Sequence, residues 1–250
     1  MEQLDMEQFR IKIKHDYVKL LDLLAQVLRA DNYLSLGDVN DSERLSIARG
    51  LTDKFVNHAV TLLYLSRGTK QDLPSFKFDS YLYDFASIDV LTRASLEACL
   101  TLHYVFYAPA TKEERDYRYW AYKAAAIAER QNFPALSREF KQKLVDDQKE
   151  LDKLLDKLKS NTIFQGLTEG QKAQFLKGKN RDLWRWVPAD RKVLSWTDIA
   201  IGAGFSKMLA SDVYRHLSGS VHSSFLSVLQ SVEIQKIGSK KRLSVLQWSS

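Results

Sequence analysis

The chain has 250 residues, of which 45% are apolar and 27% charged, and a formal net charge of +6. That balance suits an ordinary folded domain and excludes a disordered or low-complexity chain. One cysteine, Cys99, excludes an internal disulfide and a cysteine zinc site, and no apolar run is long enough for a membrane span.

Ten glycines and four prolines are few for this length. Few breakers mean few, long elements, and long elements mean helices. The N-terminal stretch MEQLDMEQFRIKIKHD is charged and lacks the apolar block of a signal peptide, so the expected location is cytoplasmic. A first helix is predicted over about 3–34, where Phe9, Ile13, Leu20, Leu24 and Leu28 recur at helical spacing. Gly37 breaks it, and Asp41 or Ser42 caps a second helix over about 43–66, which ends at Arg67-Gly68. After a loop through Pro74, a third helix is predicted over about 80–107. It is the most apolar and aromatic of all, is read as the central helix, and stops before Pro109. Thr111 with Glu114 forms a capping-box pattern for a fourth helix over about 112–131.

Residues 135–159 differ. Leu144, Gln148, Leu151, Leu155 and Leu158 step 4-3-4-3 with charges between them, a heptad-like seam predicting an extended helical arm that packs on one neighbour or on a second copy of the chain. Residues 160–204 are less regular, with short helices predicted near 168–177 and 196–203. Two last helices, about 205–217 and 220–236, are separated at Ser218-Gly219-Ser220. The fold class expected is all-α, a multi-helix bundle forming one domain over 1–236 with the arm inserted, followed by a basic tail over 237–250.

The positive charge is concentrated. Residues 171–192 hold seven Lys and Arg against two Asp, and residues 236–242 hold four Lys and Arg. The remainder is net acidic. This permits a polyanion partner without requiring one. Within the first segment, Lys179, Arg181, Trp184 and Arg185 alternate cation and ring, a pattern that suits single-stranded RNA, where phosphates meet cations and bases stack on rings. The same pattern also suits a loop anchored onto the core.

No Gly-rich phosphate loop, nucleophile elbow, kinase motif or metal-ligand spacing is present, so no metal or cofactor is expected. One segment stands apart: Asp212-Val-Tyr-Arg215-His216-Leu-Ser-Gly-Ser-Val-His222. Arg215 and His222 lie seven residues apart, about 700° of helical rotation, so they return to within about 20° of one face, about 10.5 Å apart along the axis. A bend at Gly219 would bring them closer. The other close pair, Arg10 and His15, points about 140° apart and cannot address one phosphate. In the third helix, Asp89, Arg93 and Glu97 are spaced i, i+4, i+8. They form either a solvated stripe of ion pairs or a stripe that faces this segment, with Glu97 orienting Arg215 or a histidine.

The segment resembles the Arg-x(4–6)-His signature of HEPN domains, all-helical modules common in bacterial toxin–antitoxin, abortive-infection and CRISPR-associated proteins. The polar residue that usually follows the arginine is His216 here. Leu91–Tyr107 and Tyr214–Ser224 also resemble a bacterial helical family of poorly known function. The HEPN resemblance implies metal-independent RNA cleavage. His222 would act as base on the ribose 2′-hydroxyl or as acid on the leaving oxygen, and Arg215 would stabilise the charge building on the phosphate. His216, Glu97 and Arg93 would support them. It implies a homodimer, with an antitoxin or another protein as possible partner and no membrane. The alternative is a non-catalytic helical interaction or dimerisation module of a defence complex. In that reading Arg215 caps helix carbonyls and His222 is an ordinary hydrogen-bonded side chain.

Overall fold

In a computed structural model of the chain, residues 15–20, 22–23, 42–68, 72–73, 76–77, 84–176, 183–187 and 192–221 are described. Among them the architecture is all-α and multi-helical, with two short antiparallel ladders of two residues a strand. The chain divides into two compact units, one formed by Met1–Cys99 with Asp212–Ser250 and the other by Leu100–Ser211.

In the first unit, residues 15–20 and 22–23 are helical (α1). Helix α2, Ser42–Leu65, receives the Tyr17 hydroxyl on the Ala59 carbonyl at 2.8 Å. It ends at Gly68, whose φ of 79° is the left-handed conformation glycine adopts without cost. The pairs Asp72–Lys77 and Leu73–Phe76 form the first ladder, β1 (Asp72–Leu73) with β2 (Phe76–Lys77). Helix α3, Phe85–Leu102, follows, and the unit boundary falls within it after Cys99. Most of the first predicted helix, and the range 80–83 at the start of the third, lie outside the described residues.

The second unit opens with the last turn of α3 and a π-helical turn, His103–Tyr107, closed by Ala108 N–H on the His103 carbonyl at 2.8 Å. Helix α4, Lys112–Arg130, starts as its capping pattern predicts. Thr111 Oγ accepts the Glu114 N–H at 3.1 Å, and Glu114 reaches back to the Ala110 N–H at 2.9 Å. Helix α5, Arg138–Ser160, is capped by Ser137 and lies antiparallel to α4 as a helical hairpin. Arg130 grips Asp147 through two hydrogen bonds of 2.5 and 2.7 Å, Lys123 meets Glu150 at 2.9 Å, and Asn161 donates to the Glu113 carbonyl at 3.0 Å. The small residues Ala121 and Ala124 of α4, both buried, let α5 approach.

The hairpin corrects the seam read from sequence. The predicted arm is packed on α4 of its own chain, and the register is shifted. The inward row steps 3-4-3-4-3 through Leu144, Asp147, Leu151, Leu154, Leu158 and Asn161, while Gln148 is exposed and bonds to Asp152 at 2.9 Å. Leu154 and Leu158 are 2% and 0% exposed. Polar Asp147 and Asn161 sit in the row because α4 supplies a guanidinium fork and a carbonyl for them.

Helices α6 (Thr162–Gln165) and α7 (Glu169–Leu176) precede a 3₁₀ turn, Leu183–Arg185, and the second ladder, β3 (Trp186–Val187) with β4 (Lys192–Val193). Helix α8, Trp196–Gly202, has a full capping box between Ser195 and Asp198 and ends in a turn at Gly204, φ 94°. Helix α9, Lys207–Val221, then runs unbroken through Gly219, with the unit boundary after Ser211. The break predicted at Ser218–Ser220 is absent, because one glycine costs a helix only about 1 kcal/mol, which packing outweighs.

Candidate functional site

Helix α9 is amphipathic. Ala210 and Leu217 are buried and mark its inward line. At 100° per residue, Tyr214 and His216 flank that line by about 60° and 100°, and Arg215 stands about 160° from it, on the outer face. The exposures agree: the Arg215 side chain is 78% accessible.

The residues that flank Arg215 are held by the polar stripe of α3. Arg93 Nε donates to Glu97 Oε1 at 2.9 Å, and Arg93 Nη2 donates to the Tyr214 hydroxyl at 3.0 Å. The Tyr214 hydroxyl in turn donates to the same Glu97 oxygen at 2.9 Å, closing a three-membered ring of hydrogen bonds. The Arg93 guanidinium lies 5.0 Å from the centre of the Tyr214 ring. One turn earlier on α3, Asp89 Oδ2 is 3.3 Å from His216 Nε2. Rising numbers on α3 meet falling numbers on α9, so the two segments are antiparallel within the first unit.

Burial, reinforced by the hydrogen bond to the Glu97 carboxylate, pushes the Tyr214 hydroxyl up to about 12, so it stays protonated and can donate. Burial works against the Arg93 charge, but the Glu97 hydrogen bond, the nearby Glu97 charge and the Tyr214 hydrogen bond outweigh it and raise the Arg93 pKa. The stripe therefore faces α9, with Glu97 engaging Tyr214 and Asp89 engaging His216. Arg215 is directed elsewhere, 3.8 Å from Asp212 on its own helix.

His222 lies outside the described residues, as do Lys179 and Arg181. From Arg215 to Val221 the helix is continuous, so the bend expected to shorten the Arg215–His222 separation does not occur in that span.

Of the four residues in the cation-and-ring pattern, Trp184 and Arg185 are described. They are 8% and 7% exposed and belong to the core of the second unit. The Trp184 ring packs edge-on against Tyr122, Tyr104 and Trp196 at 5.1, 5.7 and 6.1 Å. The Arg185 guanidinium lies 4.9 Å from the Trp196 ring and donates to the Leu194 carbonyl at 2.9 Å. Both side chains are packed in the segment that lies against α4, as a loop anchored onto the core would be.

The half-buried Cys99 thiol is pushed up by burial, which makes it a poor nucleophile. Burial, with Lys54 nearby, lowers the His58 pKa. Among the described residues no three His, Cys, Asp or Glu side chains gather as a metal would require, and no described helix is long and apolar enough to cross a membrane. Tyr214 was given no role from the sequence. Its signal was its place on the inward side of α9, three residues before Leu217.

The fold and this geometry define an all-helical protein with an arginine-bearing helix held from behind by a polar stripe. The chain belongs to a family of unknown function, DUF5677, whose model matches residues 82–238. That match spans both α3 and the Arg215–His222 segment. No curated protein and no solved structure matches the chain.

Proposed function

We propose that the protein is a metal-independent endoribonuclease of the HEPN type, acting in bacterial defence or toxin–antitoxin systems. The observation that carries this reading is the placement of Arg215: its two neighbours on α9 engage the α3 stripe, while its own side chain lies on the outer face of the helix and is 78% accessible. A guanidinium there can bind two phosphate oxygens at once.

In this reading Arg215 binds the scissile phosphate and stabilises the charge that accumulates on it. His222 takes the proton from the ribose 2′-hydroxyl as that oxygen attacks phosphorus, or supplies one to the departing 5′-oxygen. His216, Arg93 and Glu97 hold the helix. A homodimer, and an antitoxin or other protein partner, belong to the same reading. The second reading, a non-catalytic interaction module, draws on exposed apolar side chains at the α4–α5 tip, Phe133, Leu136 and Val145.

The test is incubation of the full chain with a single-stranded RNA and with the same sequence as 2′-deoxy strand, in excess EDTA. Cleavage of the RNA alone, leaving a 2′,3′-cyclic phosphate end, is the expected result. No cleavage of either, or cleavage of both, overturns the reading.

A further inference from the structure

The charges of α5 are treated differently at its two ends. Beyond Val145 the acids are answered by cations, as Asp146 is by Lys149 at 3.3 Å and Asp147 is by Arg130. Before Val145 the cations are not answered. Among the described residues Arg138, Lys141 and Lys143 make no ion pair and no side-chain hydrogen bond. The single acid between Ser137 and Val145 is Glu139, so the stretch carries a net +2. Hydrogen bonds from its own backbone and from Ser137 at the helix start hold the Glu139 carboxyl below the usual carboxylate range. The same end of the hairpin exposes large apolar side chains: Phe133, Leu136 and Val145 are 51%, 91% and 51% accessible. One such side chain is ordinary, but three beside unanswered cations make a surface.

The layout is that of an elongated contact face. Arg138, Lys141, Gln142 and Val145 stand at i, i+3, i+4 and i+7, within an arc of about 100° and over about 10.5 Å of helix axis. They lie on the side away from the inward row and, with Glu139, line an open pocket. We propose that this tip docks a protein partner whose contacting segment is both acidic and apolar, its carboxylates meeting Arg138, Lys141 and Lys143 while its apolar side chains cover Phe133, Leu136 and Val145. Charge complementarity selects the acid, because a basic segment would set like charges against each other. The apolar side chains select protein over the other polyanions. RNA offers bases that stack on rings, and of the three only Phe133 is a ring. An anionic bilayer takes a helix with a continuous apolar face, and the continuous apolar face of α5 is already packed on α4. The proposal deepens the interaction-module reading by naming the chemistry of the partner, and it does not depend on RNA cleavage.

The test compares the full wild-type chain with Leu136→Ser and Lys141→Glu. Both positions are exposed, so the melting temperature should not change. The probe is a synthetic helical peptide with leucines at i, i+3, i+4 and i+7 and glutamates elsewhere, beside a twin with lysines in place of the glutamates. Fluorescence anisotropy at about 0.15 M salt reads the binding. The wild type should hold the acidic peptide about tenfold more tightly than its twin, and each variant should lose about tenfold in affinity for it. Equal affinity for the two peptides, or variants that bind as the wild type does, overturns the proposal. Phosphatidylglycerol vesicles and single-stranded RNA are run alongside. If either binds through Leu136 and Lys141 while the acidic peptide does not, the occupant is wrong and the proposal falls. A wild-type mass of two chains that Leu136→Ser returns to one would make the face a contact between copies and overturn it equally. RNA cleavage by the wild type has no bearing on these readouts, so the ribonuclease reading and this one fail separately.

Discussion

Leu154→Ala and Leu155→Ala are adjacent, chemically identical changes whose costs should differ severalfold. Leu154 is 2% exposed and packs in the inward row of α5, whereas Leu155 is half-buried at its flank. Truncating a fully buried leucine costs about 2–5 kcal/mol, from lost transfer free energy and the cavity left behind. A side chain already partly in water loses about 1 kcal/mol. For a chain of this size each kcal/mol lowers the melting temperature by about 2–4 °C. At about 3 kcal/mol, Leu154→Ala should therefore lose about 6–12 °C, and Leu155→Ala about 2–4 °C. Thermal and urea unfolding followed by far-ultraviolet circular dichroism measures both. Equal losses, or a larger loss at Leu155, would refute the register and restore the seam through Gln148 and Leu155.

Two more outcomes follow from the structure. Arg185→Ala should destabilise the fold by about 2–4 kcal/mol, through loss of a charged hydrogen bond and the stacking on Trp196, while leaving RNA affinity of the folded protein unchanged. A selective loss of RNA binding with normal stability would contradict its place in the core. Stability should also fall in alkali. Burial pushes Tyr104 up to about 12, and Tyr214 rises to about 12 for the same first reason. Each raised hydroxyl keeps in the folded state a proton that the unfolded chain releases near its ordinary value of 10.0. The stabilisation is thus complete below pH 10 and is lost between there and about pH 12, at up to about 1.4 kcal/mol per pH unit for each group. Urea midpoints that stay flat across that range, with tyrosinate absorbance developing at its ordinary value, would contradict this.

The helices were legible in the sequence because their ends carry local chemistry. Thr111 with Glu114, and Gly68, each satisfy backbone groups within a few residues, so the pattern is the cause. The α5 register was not legible. Leu144, Leu151 and Leu158 belong to both possible heptad rows, and the choice between them is made by α4, through Arg130 for Asp147 and the Glu113 carbonyl for Asn161. Trp184 and Arg185 left two readings open for a related reason. A guanidinium against indole rings looks the same in sequence whether the rings face RNA or each other. The stripe Asp89, Arg93, Glu97 was visible from spacing, but its partners lie about 120 residues away, as the separations of 121 and 117 to Tyr214 show. No local signal specifies such pairings.

The most direct measurement is the rate of RNA cleavage by Arg215→Ala beside the wild-type chain and His222→Ala, in EDTA, with folding checked in each. Loss of the arginine should lower kcat by about 10²–10³-fold, as removal of a group that stabilises transition-state charge does, and loss of the histidine by about 10²–10⁴-fold. An Arg215→Ala protein that cuts RNA at the wild-type rate would contradict the assignment outright.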